Sequence, residues 1–145
     1  MLSLNRTQVS GTIPAALGNC RVLSFLGLHS TQVSGTLPAE VFDNCVALKS
    51  VYLHNNPQLA GPIPIEVGSC TALEVLWLNN TRISGPIPAE IDNCVALKSL
   101  QLHDCELSGA IPVEAFARCP DLTALKLHSN PGLFDRNELD TAAGV

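Results

Sequence analysis

Residues 76–88 read LWLNNTRISGPIP. The stretch holds two leucines one residue apart, a polar pair, a threonine, one apolar residue and then S-G-P-I-P. The same signature runs the length of the chain. L-x-L triplets, or V-x-L once, fall at Leu2–Leu4, Leu26–Leu28, Val51–Leu53, Leu76–Leu78, Leu100–Leu102 and Leu125–Leu127, spaced by 24 or 25 residues. Each of the first five is followed by its own block: SGTIP at 10–14, SGTLP at 34–38, AGPIP at 60–64, SGPIP at 84–88 and SGAIP at 108–112. A short helical stretch comes next, then a cysteine (Cys20, Cys45, Cys70, Cys94, Cys119), then a leucine three residues later. A fixed period of this length marks a solenoid, in which each repeat buries its apolar side only against its neighbours. The repeats occupy 1–133, about five and a half of them, and 134–145 reads as a polar tail.

Composition narrows the function. The chain has 145 residues, 46% of them hydrophobic, enough for one domain to bury a core. Net charge is −5 and thinly spread, with 14% charged residues and no basic cluster, which argues against nucleic-acid binding. No apolar run approaches the roughly 20 residues that cross a bilayer. The first residues, Met1 to Asn5, have neither the basic start nor the apolar run of a signal peptide.

The motif L-x-x-L-x-L-x-x-N/T/C-x-φ-S-G-x-I-P, with φ apolar, resembles the plant-type leucine-rich repeat of receptor-like kinase and receptor-like protein ectodomains. Its threonine-bearing S-G-T-L-P variant is also similar to repeats of protozoan surface antigens. The resemblance implies an α/β solenoid, a right-handed superhelix. A parallel β-sheet would line its concave face, with short helical or 3-10 segments on its convex face. In a strand the two L-x-L side chains point inward and the residue between them outward. The family implies a ladder slot at Thr7, Thr31, Asn56, Thr81, Cys105 and Asn130, whose side chains bond to backbone of neighbouring turns. Asn suits it best, having both donor and acceptor. The family also implies a second, small sheet near the I-P segment. Glu40, Glu66, Glu90 and Glu114 fall at the start of the helical turns, where negative charge is favoured.

The five register cysteines stack one per turn, close enough to consider disulfides. We read them as free, small, buried apolar side chains. A spacing near 25 residues excludes a C-x-x-C zinc motif.

The outward columns vary where the inward ones do not. The position after L-x-L reads Asn5, His29, His54, Asn79, His103, His128, so all four histidines share one column. The x of L-x-L reads Ser3, Gly27, Tyr52, Trp77, Gln101, Lys126, and Phe25 stands two residues before Gly27. Three readings of the histidines stay open: inheritance by repeat duplication, a metal pair (His29–His54 or His103–His128, with Asp104 the only obvious further ligand), and a pH-sensitive binding face. Clustered aromatics are the anchors binding surfaces use. The expected ligand face is therefore Phe25, His29, Tyr52, His54, Trp77, Gln101, His103, Lys126 and His128. Asn5-Arg6-Thr7 and Asn79-Asn80-Thr81 are glycosylation sequons.

No catalytic constellation, cofactor motif or metal site is expected, since the Ser, His and Asp residues occupy repeat-equivalent positions. The expected function is a non-enzymatic recognition module for a protein or peptide, with a glycan as a further possible ligand. The alternative is a surface-coat segment with no single ligand. The first turn has no cap, so the chain reads as a fragment of a receptor-like or surface protein, or as an oligomer joined edge to edge at that turn.

Overall fold

The computed structural model describes residues 1–135. Most of the expected polar tail therefore lies outside the described residues. Within them the chain coils turn upon turn, each turn adding one strand to each of two parallel sheets. The first sheet takes the L-x-L strands: β1 (Leu2–Ser3), β3 (Phe25–Gly27), β5 (Ser50–Tyr52), β7 (Val75–Trp77), β9 (Ser99–Gln101) and β11 (Ala124–Lys126), in that order. The second is built from β2 (Ser10–Thr12), β4 (Gln32–Gly35), β6 (Asn56–Gly61), β8 (Thr81–Gly85), β10 (Glu106–Ala110) and β12 (Gly132–Phe134).

The second sheet thus ends at or just after the glycine of each S-G-x-I-P block, ahead of the I-P pair expected to carry it. The proline explains the difference: it donates no hydrogen bond, and it serves instead as the extended residue that starts the helical turn. Those turns are 3-10 at Ala15–Asn19, Ile65–Ser69 and Ala89–Asn93, and α-helical at α1 (Ala39–Asn44) and α2 (Val113–Phe116). Glu40, Glu66, Glu90 and Glu114 lie in their first turns, as expected of negative charge at a helix start.

One core runs through the coil. Leu26, Val51, Leu76 and Leu100 pair in register across the first sheet. They pack with Val33, Leu59, Ile83 and Leu107 from the second sheet and with Val41, Val67 and Ile91 from the helical turns. At the first turn the core is open, leaving a hollow of about 220 Å³ lined by Leu2, Leu4, Val9, Ile13, Leu17 and Leu28.

Polar ladders tie the turns together. Asn56 donates from Nδ2 to the carbonyls of Leu53 in its own turn (2.8 Å) and Leu28 in the turn before (2.9 Å). Its Oδ1 accepts from the backbone N–H of Thr31 (3.1 Å) and from the Thr31 hydroxyl (2.9 Å). Asn130 repeats this toward Leu127 and Leu102, while Thr31 and Thr81 donate to the carbonyl three residues back and reach no carbonyl of the turn before. Cys105 occupies the same slot with its Sγ 3.3 Å from the Leu78 carbonyl.

The register cysteines are free thiols. Each buried one donates to a carbonyl of the preceding turn: Cys45 to Cys20 (3.4 Å), Cys70 to Phe42 (3.2 Å), Cys94 to Val67 (3.3 Å) and Cys119 to Cys94 (3.5 Å). They therefore form a second ladder and do more than fill space. Cys20 departs from the expectation of burial: it is exposed, because no described turn lies beneath it.

The column after the histidines also departs from a simple outward face. Arg6, Ser30, Asn55, Asn80, Asp104 and Ser129 all adopt left-handed backbone, with φ between 53° and 58°. This residue swings the chain from the first sheet into the ladder. Non-glycine residues resist that conformation by about 1–2 kcal/mol, Asn and Asp least. Asn80→Val should therefore destabilise the fold by about 2 kcal/mol, whereas Asn80→Gly should stay within about 0.5 kcal/mol of the parent. Urea unfolding of the two variants separates a backbone requirement from a side-chain one.

Candidate functional site

The outward side of the first sheet carries the residues singled out from the sequence. Strand register sets their neighbours: Gly27 pairs with Tyr52, Tyr52 with Trp77, Trp77 with Gln101, and Gln101 with Lys126. Strands in a sheet lie about 4.8 Å apart, so side chains on one face meet directly.

Five of the nine form one aromatic patch. Tyr52 and Trp77 meet edge to face with centroids 5.0 Å apart. Phe25 reaches Tyr52 at 5.5 Å. It does so because Gly27 has no side chain: a Cβ there would stand 2.7 Å from the Phe25 ring and 2.8 Å from Asn5 Oδ1. Trp77 is pinned by its indole N–H, which donates to the Ser99 hydroxyl at 2.9 Å. His54 lies edge-on to both Trp77 (5.3 Å) and Tyr52 (6.2 Å). His29 stacks on His54 at 4.5 Å with the rings 10° from parallel. Pairs in these geometries each contribute about 0.5–1.5 kcal/mol beyond area burial, so the patch is held in one arrangement. All five side chains remain partly exposed.

The other four lie on the next two strands. His103 stacks on His128 at 4.7 Å, and Gln101 and Lys126 stand beside them. This half is polar, with Lys126 and His128 exposed. Buried Asn79 separates the halves, sitting in the histidine column between His54 and His103.

Burial, with like charge from neighbours, sets the imidazole electrostatics. His54 is lowered to about 4, chiefly by burial and then by His29 and His103. Burial and Arg6 lower His29. Burial, His128 and Lys126 lower His103 against an opposing pull from Asp104. The folded chain thus refuses protons that an unfolded chain accepts near 6.5. The column's contribution to stability is therefore complete above that value and declines as pH falls from there toward about 4.

Face-to-face stacking leaves the in-plane lone pairs of each histidine pair running side by side, where a metal ion needs them to converge. Among the described residues no group of three His, Cys, Asp or Glu side chains is placed to hold one. Two of the buried thiols are equally unsuited to nucleophilic chemistry: burial pushes Cys70 and Cys94 up to about 12, so they stay protonated.

A separate groove of about 510 Å³ opens between the fourth and fifth turns on the helical side, lined by Pro86, Ile87, Ile111, Pro112, Ala115 and Arg118. Sequence reading did not find it. Nor did it find that the paired histidines stack face to face, the crossing of Phe25 over Gly27 or the left-handed column, although the Asn and Asp at 55, 80 and 104 are a usable signal for the last.

The Leucine Rich Repeat family pattern matches residues 72–94. No curated protein sequence matches the chain. Among solved structures, the chain is similar to the BIR2 ectodomain from Arabidopsis thaliana, with TM-score 0.83 and 34% identity, covering 93% of this chain and 69% of that one. It is similar to the plant peptide hormone receptor RGFR1, solved in complex with RGF2, with TM-score 0.85 and 33% identity over 88% of this chain. It is also similar to the Arabidopsis receptor kinase HAESA, solved with the peptide hormone IDA and the co-receptor SERK1, with TM-score 0.78 and 34% identity over 83% of this chain. The chain spans only about a fifth of RGFR1 and of HAESA.

Proposed function

Because this chain belongs to the plant-type leucine-rich repeat family, we propose that it is a non-catalytic recognition module. It binds an extended peptide or protein segment across the outward side of its first sheet. The observation that carries this reading is the aromatic patch of Phe25, Tyr52 and Trp77, continuous across three neighbouring strands and left partly exposed. A monomeric fold that needed these rings only for packing would bury them; rigid aromatics at a surface supply large contact area at little entropic cost. The polar half, with Gln101, His103, Lys126 and His128, supplies hydrogen bonds beside that anchor.

RGFR1 is a peptide hormone receptor solved with RGF2, and HAESA was solved with the peptide hormone IDA, which supports a peptide as the class of partner. Of the two sequons, Asn5 keeps a partly exposed side chain, whereas Asn79 is 6% exposed. A glycan, where one is attached, would then sit at the first turn and leave Trp77 accessible.

The test uses a peptide selected on the protein from a random displayed library. Trp77→Ala should weaken its binding about 30-fold, equivalent to about 2 kcal/mol. Arg82→Ala, which removes an exposed ion pair with Glu106 in the second sheet, should change it less than about twofold. Equal affinity for the parent and Trp77→Ala would favour the surface-coat reading.

A further inference from the structure

Among the described residues, three buried side-chain atoms have no hydrogen-bond partner: His54 Nδ1, Asn79 Oδ1 and His103 Nδ1. They belong to three consecutive members of one column, on the turns of β5, β7 and β9. The outer histidines differ: His29 Nδ1 and His128 Nδ1 each lie within hydrogen-bond distance of the following serine hydroxyl, at 3.3 and 3.2 Å. His54 is thus held by ring contacts, and His103 by its stack on His128 and by Asp104 beside its Nε2. His54 in particular packs at once on His29, Tyr52 and Trp77.

That packing suits a neutral imidazole. A proton would make both ring nitrogens donors while Nδ1 still faces no acceptor, and would set a charge 4.5 Å from a second imidazole. The titratable groups acting on His54 are His29 on the neighbouring turn and His103 two turns on, beyond Asn79, both of which can only add like charge. Behind His29 stands Arg6, and beside His103 stand His128 and Lys126. The one opposing group is Asp104, 3.9 Å from His103. The π-faces of Tyr52 and Trp77 attract a cation and offset part of the cost. They do so edge-on, at interplanar angles of 73° and 63°.

We propose that acid opens the aromatic patch: protonation of the His29–His54 stack drives His54 away from Tyr52 and Trp77, so the patch is closed at neutral pH and loosened in mildly acidic solution. Only the consequence, weaker peptide binding in acid, rests on the function proposed above; the opening itself does not.

Trp77 is the only tryptophan in the chain, and its ring lies 5.3 Å from the His54 ring. Its emission therefore reports His54 without any ligand. The experiment titrates emission from about pH 8 to about pH 4 and follows circular dichroism in parallel. The expected result is a sigmoidal change in emission with its midpoint between 6.5 and about 4 while circular dichroism holds. His54→Asn, the residue found at 5 and 79 in the same column, should abolish it. His29→Asn should move the midpoint upward, because a like charge is removed.

A flat titration would overturn the proposal. So would the same transition persisting in His54→Asn, or a loss of circular dichroism coincident with the emission change. A flat titration would leave the binding reading standing. Unchanged peptide affinity in Trp77→Ala would remove that reading and leave the acid opening intact.

Discussion

Asn56→Leu is expected to cost about 4 kcal/mol of folding stability. Asn56 is 0% exposed and makes five side-chain bonds, three of them to the turn before. Leucine keeps the branched four-atom side chain but carries bulkier methyl groups, so lost hydrogen bonding is the larger part of the cost and crowding adds to it. The Leu53 carbonyl and the N–H of Thr31 would be left unpaired in the interior, each at about 1–3 kcal/mol, and the Leu28 carbonyl would keep only the Thr31 hydroxyl. The costs do not simply add, since relaxation recovers part of them. Asn56→Thr should cost less, about 1–2 kcal/mol, because Thr31 and Thr81 show that a hydroxyl in this slot still reaches the carbonyl three residues back. Urea midpoints of the two variants, followed by circular dichroism, check both values. Equal losses would mean that volume and not hydrogen bonding governs the slot.

Leu76→Ala should be about as damaging, at about 3–5 kcal/mol. Leu76 is 0% exposed and lies between Val51 and Leu100 on the neighbouring strands. A solenoid has only nearest-neighbour contacts across each junction, so the cavity cannot be filled from elsewhere in the chain. The same truncation at Val46, which is exposed, should change stability by less than about 0.5 kcal/mol. Beyond the lower midpoint, Leu76→Ala should broaden the urea transition, as the turns on either side begin to unfold separately.

Most of the fold is legible in the sequence because repetition writes the same constraint six times. L-x-L fixes the strand and its inward side, and the recurring Asn, Thr or Cys fixes the ladder. Repeating Glu after Pro fixes the helix start. What is illegible depends on contacts between turns. The Cys45, Cys70, Cys94 and Cys119 thiols look like small apolar residues until their carbonyl partners, 25 to 28 positions earlier, are in place. Phe25 falls outside the column of Tyr52 and Trp77, and only the gap above Gly27 brings its ring to theirs. The histidine column is plain in the sequence, yet a column does not say whether neighbouring rings stack, diverge or converge on a ligand. Side-chain torsions decide that, and strand period does not. The groove at Pro86 and Ile111 is harder still. It lies where Pro112, with ψ of 69°, leaves the extended conformation that the other four helix-start prolines keep.

Hydroxyl-radical footprinting with and without the selected peptide compares the two candidate surfaces in one experiment. Binding across the first sheet predicts that the peptide protects Phe25, Tyr52, His54 and Trp77 from oxidation and leaves Pro86, Ile111 and Pro112 unchanged. Protection confined to the groove at Pro86, Ile111 and Pro112, with Tyr52 and Trp77 oxidised as in the free protein, would contradict it.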